Sequence, residues 1–214
     1  MPSQSNTFLQ PKGDYKRLIA FQKAECIYDI TCYFIEHYLP QSGDRTVDQM
    51  KQAARSGKQN IAEGNEAGTT SMETNIKLMN VAKASLKELQ EDYEDYLRTH
   101  GLSRWNPSSD QCRNARAWCK AHSNTADYQR VCQLRNDETI ANIALILLHQ
   151  TDYLLHNLIE KLKADFIQNG GIREQMTQAR LNWRNNNKAN NENYGNSMNN
   201  KNTSPQNQNS HNSH

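Results

Sequence analysis

The sequence predicts an all-α protein, built as an antiparallel four-helix bundle. Three observations lead there. Four long segments carry apolar residues at spacings of three and four, the period of one helix face. Proline, glycine and capping patterns separate those segments. No run of alternating apolar and polar residues indicates a strand.

The first predicted helix covers Tyr15 to Leu39, with Ala20, Ala24, Ile27, Ile30, Phe34 and Tyr38 on one face. Pro40, followed by Ser42 and Gly43, stops it, because proline cannot donate to the helical ladder. Thr46 and Gln49 form a capping box for the second helix, whose inner face reads Val47, Met50, Ala54, Gly57 and Ile61. A glycine inside a helix costs ~1 kcal/mol relative to alanine, so Gly57 is expected to serve close packing. Gly64 is expected to end the helix as a left-handed cap. Thr70 and Glu73 make the next capping box, and the third helix runs to about Arg98 with Ile76, Met79, Leu86, Leu89, Tyr93 and Tyr96 inward.

A connection rich in turn formers follows, around Gly101 and Asn106 to Ser109, with a short helical piece expected within Asp110 to Ala121. The fourth long helix spans Asp137 to Phe166. Its apolar set, from Ile140 and Ile143 through Leu147, Leu148, Leu155, Ile159 and Leu162, is wider than one stripe. That width predicts burial on two sides, one against the bundle core and one against a neighbouring subunit. Gly170 and Gly171 break the chain before a short helix in which Ile172, Met176, Ala179 and Trp183 share a face, expected to dock on the bundle. The predicted organisation is a flexible lead-in (1–14), a bundle (15–168), a short helix (169–184) and a disordered tail (185–214). The tail holds thirteen asparagines and almost nothing to bury.

Apolar residues make up only 36% of the chain, much of the deficit lying in that tail. The net charge of +2 is too small to imply a polyanion partner, but its distribution is uneven. Between Arg98 and Arg135 seven Arg or Lys face two Asp, whereas Glu88 to Asp95 is acidic. No basic segment followed by an apolar run opens the chain, so no secretory leader is expected. The longest apolar run, Ile143 to Leu148, is six residues, against the ~20 that span a bilayer. Five cysteines without close pairing suit a reducing compartment. A cytoplasmic protein with no membrane partner is expected.

The stretch Arg55-Ser56-Gly57, Asn60-Ile61-Ala62-Glu63-Gly64 and Ala82-Lys83-Ala84-Ser85-Leu86-Lys87-Glu88-Leu89 resembles the four-helix bundle family that includes ribosomal-RNA intervening-sequence proteins and accessory variability proteins of diversity-generating retroelements. The resemblance covers roughly Tyr15 to Phe166. Residues Gly170 to Leu181 look like the C-terminal suffix of one bacterial subfamily, whose activity is not settled. The resemblance implies a homopentameric assembly, and for the retroelement proteins binding of nucleic acid and a reverse transcriptase. This chain departs from those members in its long basic insertion between helices three and four, so the reverse-transcriptase partner is not carried over to it.

Lys51, Arg55 and Lys58 fall at i, i+4 and i+7 and form one basic ridge. With Arg113, Arg116 and Lys120 of the connection and Arg173, Arg180 and Arg184 of the suffix helix, they are the candidate nucleic-acid contacts. Trp183 is a second candidate, by stacking on an unpaired base. Gly57, Asn60, Glu63 and Gly64 are read as a structural motif. Glu63 is expected in the last helical turn, where the macrodipole disfavours a carboxylate, so a partner is expected for it. His149, Asp152 and His156 share a helix face, but no Glu-x-x-His repeat accompanies them. Cys112, Cys119, His122 and Cys132 are potential zinc ligands whose spacing matches no compact finger. No nucleophile elbow, phosphate loop or dinucleotide fingerprint is present. The expected function is therefore non-enzymatic and cofactor-free: a self-associating helical protein that binds RNA or DNA. The alternative is a scaffold whose partner is another protein, met through the acidic Glu88 to Asp95 surface and the suffix helix.

Overall fold

The structure is a computed structural model that describes residues 14–40 and 45–199, the side chains of 189–199 excepted. Among the described residues the protein is helical without a strand. Its helices are α1 (Ile19–Tyr38), α2 (Arg45–Ala67), α3 (Met72–Thr99), α4 (Asp110–Ala121), α5 (Thr125–Leu134), α6 (Asp137–Asn169) and α7 (Ile172–Asn199). No described helix is long and apolar enough to cross a membrane. The chain divides into two units, at the junction between Ile172 and Arg173.

In the first unit, α1 packs on α2, α2 on α3, α3 on α6, and α6 back on α1. Their inward faces are those the periodicity predicts. Phe34 is fully buried, its ring 5.1 Å from Tyr93 and 4.7 Å from Tyr96. Tyr93 in turn donates to the Thr31 hydroxyl at 3.1 Å, which satisfies its buried phenol.

Several boundaries move. Asp14 accepts from the Lys16 amide and caps a 3-10 turn at Tyr15–Arg17, so the first α-helix starts at Ile19 rather than Tyr15. Thr46 lies inside α2, which begins at Arg45. The cap of α3 is Ser71, whose hydroxyl accepts from the Thr74 amide; the Thr70 hydroxyl instead donates to the Ala67 carbonyl at the end of α2. Gly64 is not a C-terminal cap. Among the described residues positive φ occurs only at Gly101 and Gly170, and α2 continues to Ala67.

Packing explains both α2 glycines. A Cβ on Gly57 would lie 2.5 Å from a Leu86 methyl, and one on Gly64 would lie 3.2 Å from the Leu78 Cβ. Gly64 is glycine because α3 presses where a side chain would stand, not because the backbone turns left-handed there.

The second side of α6 is covered by the same chain. Ile140 to Leu148 are all buried, and α4 packs on α6. Along Ile140–Leu148 the covering surface is thus the chain's own, while Leu154, Leu158 and Leu162 farther along stay half-buried. The breadth of the apolar pattern reflects α4 and the loop before it. The helix α5, which the sequence reading does not anticipate, packs on α1 with Tyr128 and Cys132 buried.

In the second unit α7 runs past Arg184, where the sequence predicts its end, and carries the first asparagines of the tail as helix to Asn199. Asparagine is a modest helix former, not a breaker like proline, so a helix already nucleated passes through it. Met176, Leu181 and Trp183 are exposed on α7. The expected lead-in at 1–13 and the tail at 200–214 lie outside the described residues.

Candidate functional site

Three remote segments meet where α1, α4 and α6 come together, and buried polar groups join them. Lys23 of α1 is only 3% exposed. Its ammonium donates to the Cys119 carbonyl at 2.6 Å and the His122 carbonyl at 3.3 Å. Both acceptors belong to the C-terminal end of α4, where the helix dipole favours a cation. No carboxylate among the described residues pairs with Lys23, and burial pushes its pKa down. The Tyr128 hydroxyl of α5 donates to the same His122 carbonyl at 3.0 Å. Its ring packs edge-on against Trp118, with centroids 5.0 Å apart.

On α6, Asn142 is buried and uses both ends of its amide. The nitrogen donates to the Ser103 and Glu138 carbonyls at 2.9 and 2.8 Å, and the oxygen accepts from the Trp105 amide at 2.8 Å. This holds the segment before α4 onto α6. One turn past Leu147, Gln150 donates to the Arg116 carbonyl at 3.0 Å. Its side-chain oxygen is buried with no partner among the described residues.

Beside these ties lies a cleft of about 780 Å³. Ile19, Trp105, Leu145, Ile146 and Leu154 form its apolar wall. Lys23, Arg104, Arg116 and Lys120 also line it, and among the described residues no aspartate or glutamate does. Arg104 is ion-paired with Glu94 at 3.0 Å. Neither Arg116 nor Lys120 is in an ion pair among the described residues. His149 lines the cleft with its pKa lowered, first by burial and then by Arg104, so it adds no charge near neutral pH.

The sequence-predicted residues fall in three places. Lys51 and Arg55 are exposed on α2, without ion pairs among the described residues. Lys58, one turn on, is half-buried with its ammonium 4.3 Å from the centre of the Tyr28 ring, a cation–π contact. On α4, Arg113 pairs with Asp110 and donates to the Ser108 carbonyl, while Arg116 and Lys120 reach the cleft. Arg173, Arg180 and Arg184 are exposed on α7, in the second unit.

The motif residues are structural contacts. Asn60 donates to the Ser56 carbonyl at 2.8 Å, beside a Ser56–Ser85 hydroxyl contact of 2.9 Å between α2 and α3. Glu63 is exposed, and its partner is Gln59 at 3.0 Å. With α2 ending at Ala67, Glu63 is not in the final turn. Among the described residues no group of three or more His, Cys, Asp or Glu is placed to hold a metal. Burial pushes the Cys119 and Cys132 thiols up to about 11. They are therefore protonated near neutral pH and poor nucleophiles. His122 turns its ring onto Trp118 at 4.3 Å, and Asp152 pairs with Lys83 at 3.3 Å.

Lys23, Asn142, Gln150 and Trp105 are the site residues that sequence reasoning misses. Lys23 and Asn142 left one signal, a polar residue on the buried side of a strongly apolar helix. No family model matches the chain, and no curated protein or solved structure matches it significantly.

Proposed function

We propose that this is a non-enzymatic protein that binds RNA or DNA through exposed cations. Its scaffold is read as an antiparallel four-helix bundle of α1, α2, α3 and α6, with α4 and α5 inserted between the third and fourth bundle helices and α7 as a suffix. One observation carries the reading: of the candidate phosphate contacts on α2, α4 and α7, only Arg113 is in an ion pair among the described residues. Unpaired cations keep their full charge for phosphates, and polymer affinity grows with the number of phosphates neutralised.

Self-association belongs to the same proposal, because a ring of copies would repeat the α2 ridge around one axis. Leu134 and Ile167, 78% and 83% exposed, are apolar surface that a second copy would cover. Sedimentation after nuclease treatment tests the assembly, with a lone monomer as the contrary result.

Binding itself is tested by fluorescence anisotropy with single-stranded RNA and duplex DNA at low salt. Saturable binding with little sequence preference is expected; absent binding rejects the reading. Arg173→Glu, Arg180→Glu and Arg184→Glu together separate this from the scaffold alternative. Loss of a protein partner with nucleic-acid affinity intact would favour the scaffold.

A further inference from the structure

We propose that the cleft between α1, α4 and α6 is a binding site for an amphipathic organic anion: an apolar body with a carboxylate or phosphate head. The inference does not rest on the nucleic-acid reading, since a phosphate backbone has no use for an apolar cleft.

Size is the first consideration. A volume of about 780 Å³ falls within the ~300–1,000 Å³ of small-molecule sites. Chemistry is the second. The wall of Trp105, Leu145, Ile146 and Leu154 is mostly hydrocarbon and indole, which suits an acyl or aryl body and disfavours a nucleotide.

Charge is the third. Arg116 and Lys120 enter the cleft without a carboxylate among its described lining residues. The buried Lys23 ammonium also lines the cleft, with a third donor that the two α4 carbonyls do not use. Cations gathered at the rim of an apolar cleft repel one another, and an anionic head is what would offset that repulsion. A cationic or zwitterionic amphiphile would not.

The mouth is open on the hydrocarbon side. Ile19 and Tyr153 line the cleft and are 49% and 65% exposed. Apolar surface at the rim of a cleft gives an entering chain its first contacts and is covered when the ligand seats. The body therefore lies along Ile19, Tyr153 and Leu154, and the head meets Arg116 and Lys120.

The experiment uses the full chain and four probes that share one tail: decanoate, decyl phosphate, decanol and decyltrimethylammonium, each below its micelle-forming concentration. Titration calorimetry reads stoichiometry, and tryptophan fluorescence, followed in a Trp118→Phe, Trp183→Phe background, reports on Trp105. Saturable binding of one decanoate or one decyl phosphate per chain is expected, at least about tenfold tighter than decanol, the ratio that one charge-assisted hydrogen bond supplies. Whichever head binds tighter tells carboxylate from phosphate.

The double variant Arg116→Gln with Lys120→Gln should weaken the anions at least about tenfold and leave decanol unchanged. Both positions are exposed, so the variant keeps its fold, as circular dichroism would show. Ala121→Trp, which places bulk on an exposed lining residue, should weaken anions and decanol alike.

Equal binding of decanol and decanoate would overturn the proposal, as would binding of decyltrimethylammonium or anion affinity unchanged in the double variant. So would a concentration-dependent dimer lost in Ala121→Trp, which would make a second copy the occupant.

Discussion

Between α2 and α3 the chain closes on glycine. Gly57 and Gly64 bring backbone against Leu86, Leu78 and Met79, and the two helices follow each other directly in sequence. Around α4 it closes on buried polar groups instead: Lys23, Asn142 and Gln150 reach carbonyls and amides that lie 34 to 99 residues away. Apolar contact of the first kind is specific to shape and tolerates no added atom. Polar ties of the second kind fix position, and a cationic cleft lies beside them. The two regions teach that stability and site can be built from different contacts within one unit.

Breaking the apolar region should cost most. Leu86 is 3% exposed and packs on Gly57. Leu86→Ala is expected to lower unfolding free energy by ~2–5 kcal/mol in urea denaturation, through lost burial and the cavity left. Gly57→Val should cost ~1–3 kcal/mol by overpacking. Its cost should shrink in the Leu86→Ala background, where the interfering methyls are gone. A cost that stays the same in both backgrounds would mean that Gly57 answers to something other than Leu86.

The polar region should fail locally. Asn142→Ala removes the part-buried bonds to the Trp105 amide and the Ser103 carbonyl, at ~0.5–1.5 kcal/mol each. Faster amide exchange is expected through 103–121, with the α2–α3 amides unchanged. Uniformly faster exchange across both regions would erase the distinction between them.

The smallest effect is a pH dependence of the buried thiols on the α1, α4 and α5 side, since α2 and α3 contain no cysteine. Burial raises the Cys119 thiol from 9.0 to about 11. The unfolded thiol loses its proton first, so stability falls as pH rises from about 9 through about 11. Lys23 acts in the opposite sense below 10.5, because its lowered folded pKa makes stability rise with pH there. Thermal denaturation of Cys119→Ala beside the parent isolates the thiol: the variant should lose less over that window.

The same contrast explains what could be read beforehand. The long helices and their faces follow from spacing alone, and α4 fills the range Asp110 to Ala121 where a short helical piece is expected, although the Ser109 cap that starts it is not part of that expectation. Gly64 was legible as special but misassigned, since a cap and a close contact both call for glycine. The helix α5 was missed because its ten residues bury only Tyr128 and Cys132, too few to show a period. The cleft was not legible at all. Lys23 lies 96 residues from Cys119, and no local pattern relates a lysine to a carbonyl that far along the chain. The candidate phosphate contacts on α2 were found from charge spacing, but Lys58 spends its cation partly on Tyr28, a pairing set by α1.

The unpaired cations are the centre of the functional account, and the salt dependence of RNA affinity tests them most directly. Log affinity of the parent should fall linearly with log salt, at a slope of about −0.7 for each phosphate met on a single strand. Lys51→Gln, Arg55→Gln and Lys58→Gln together should flatten that slope by about 2, with only the small drop in melting temperature that the lost Lys58–Tyr28 contact brings. Affinity that ignores salt, or a slope identical in parent and triple variant, would contradict the account.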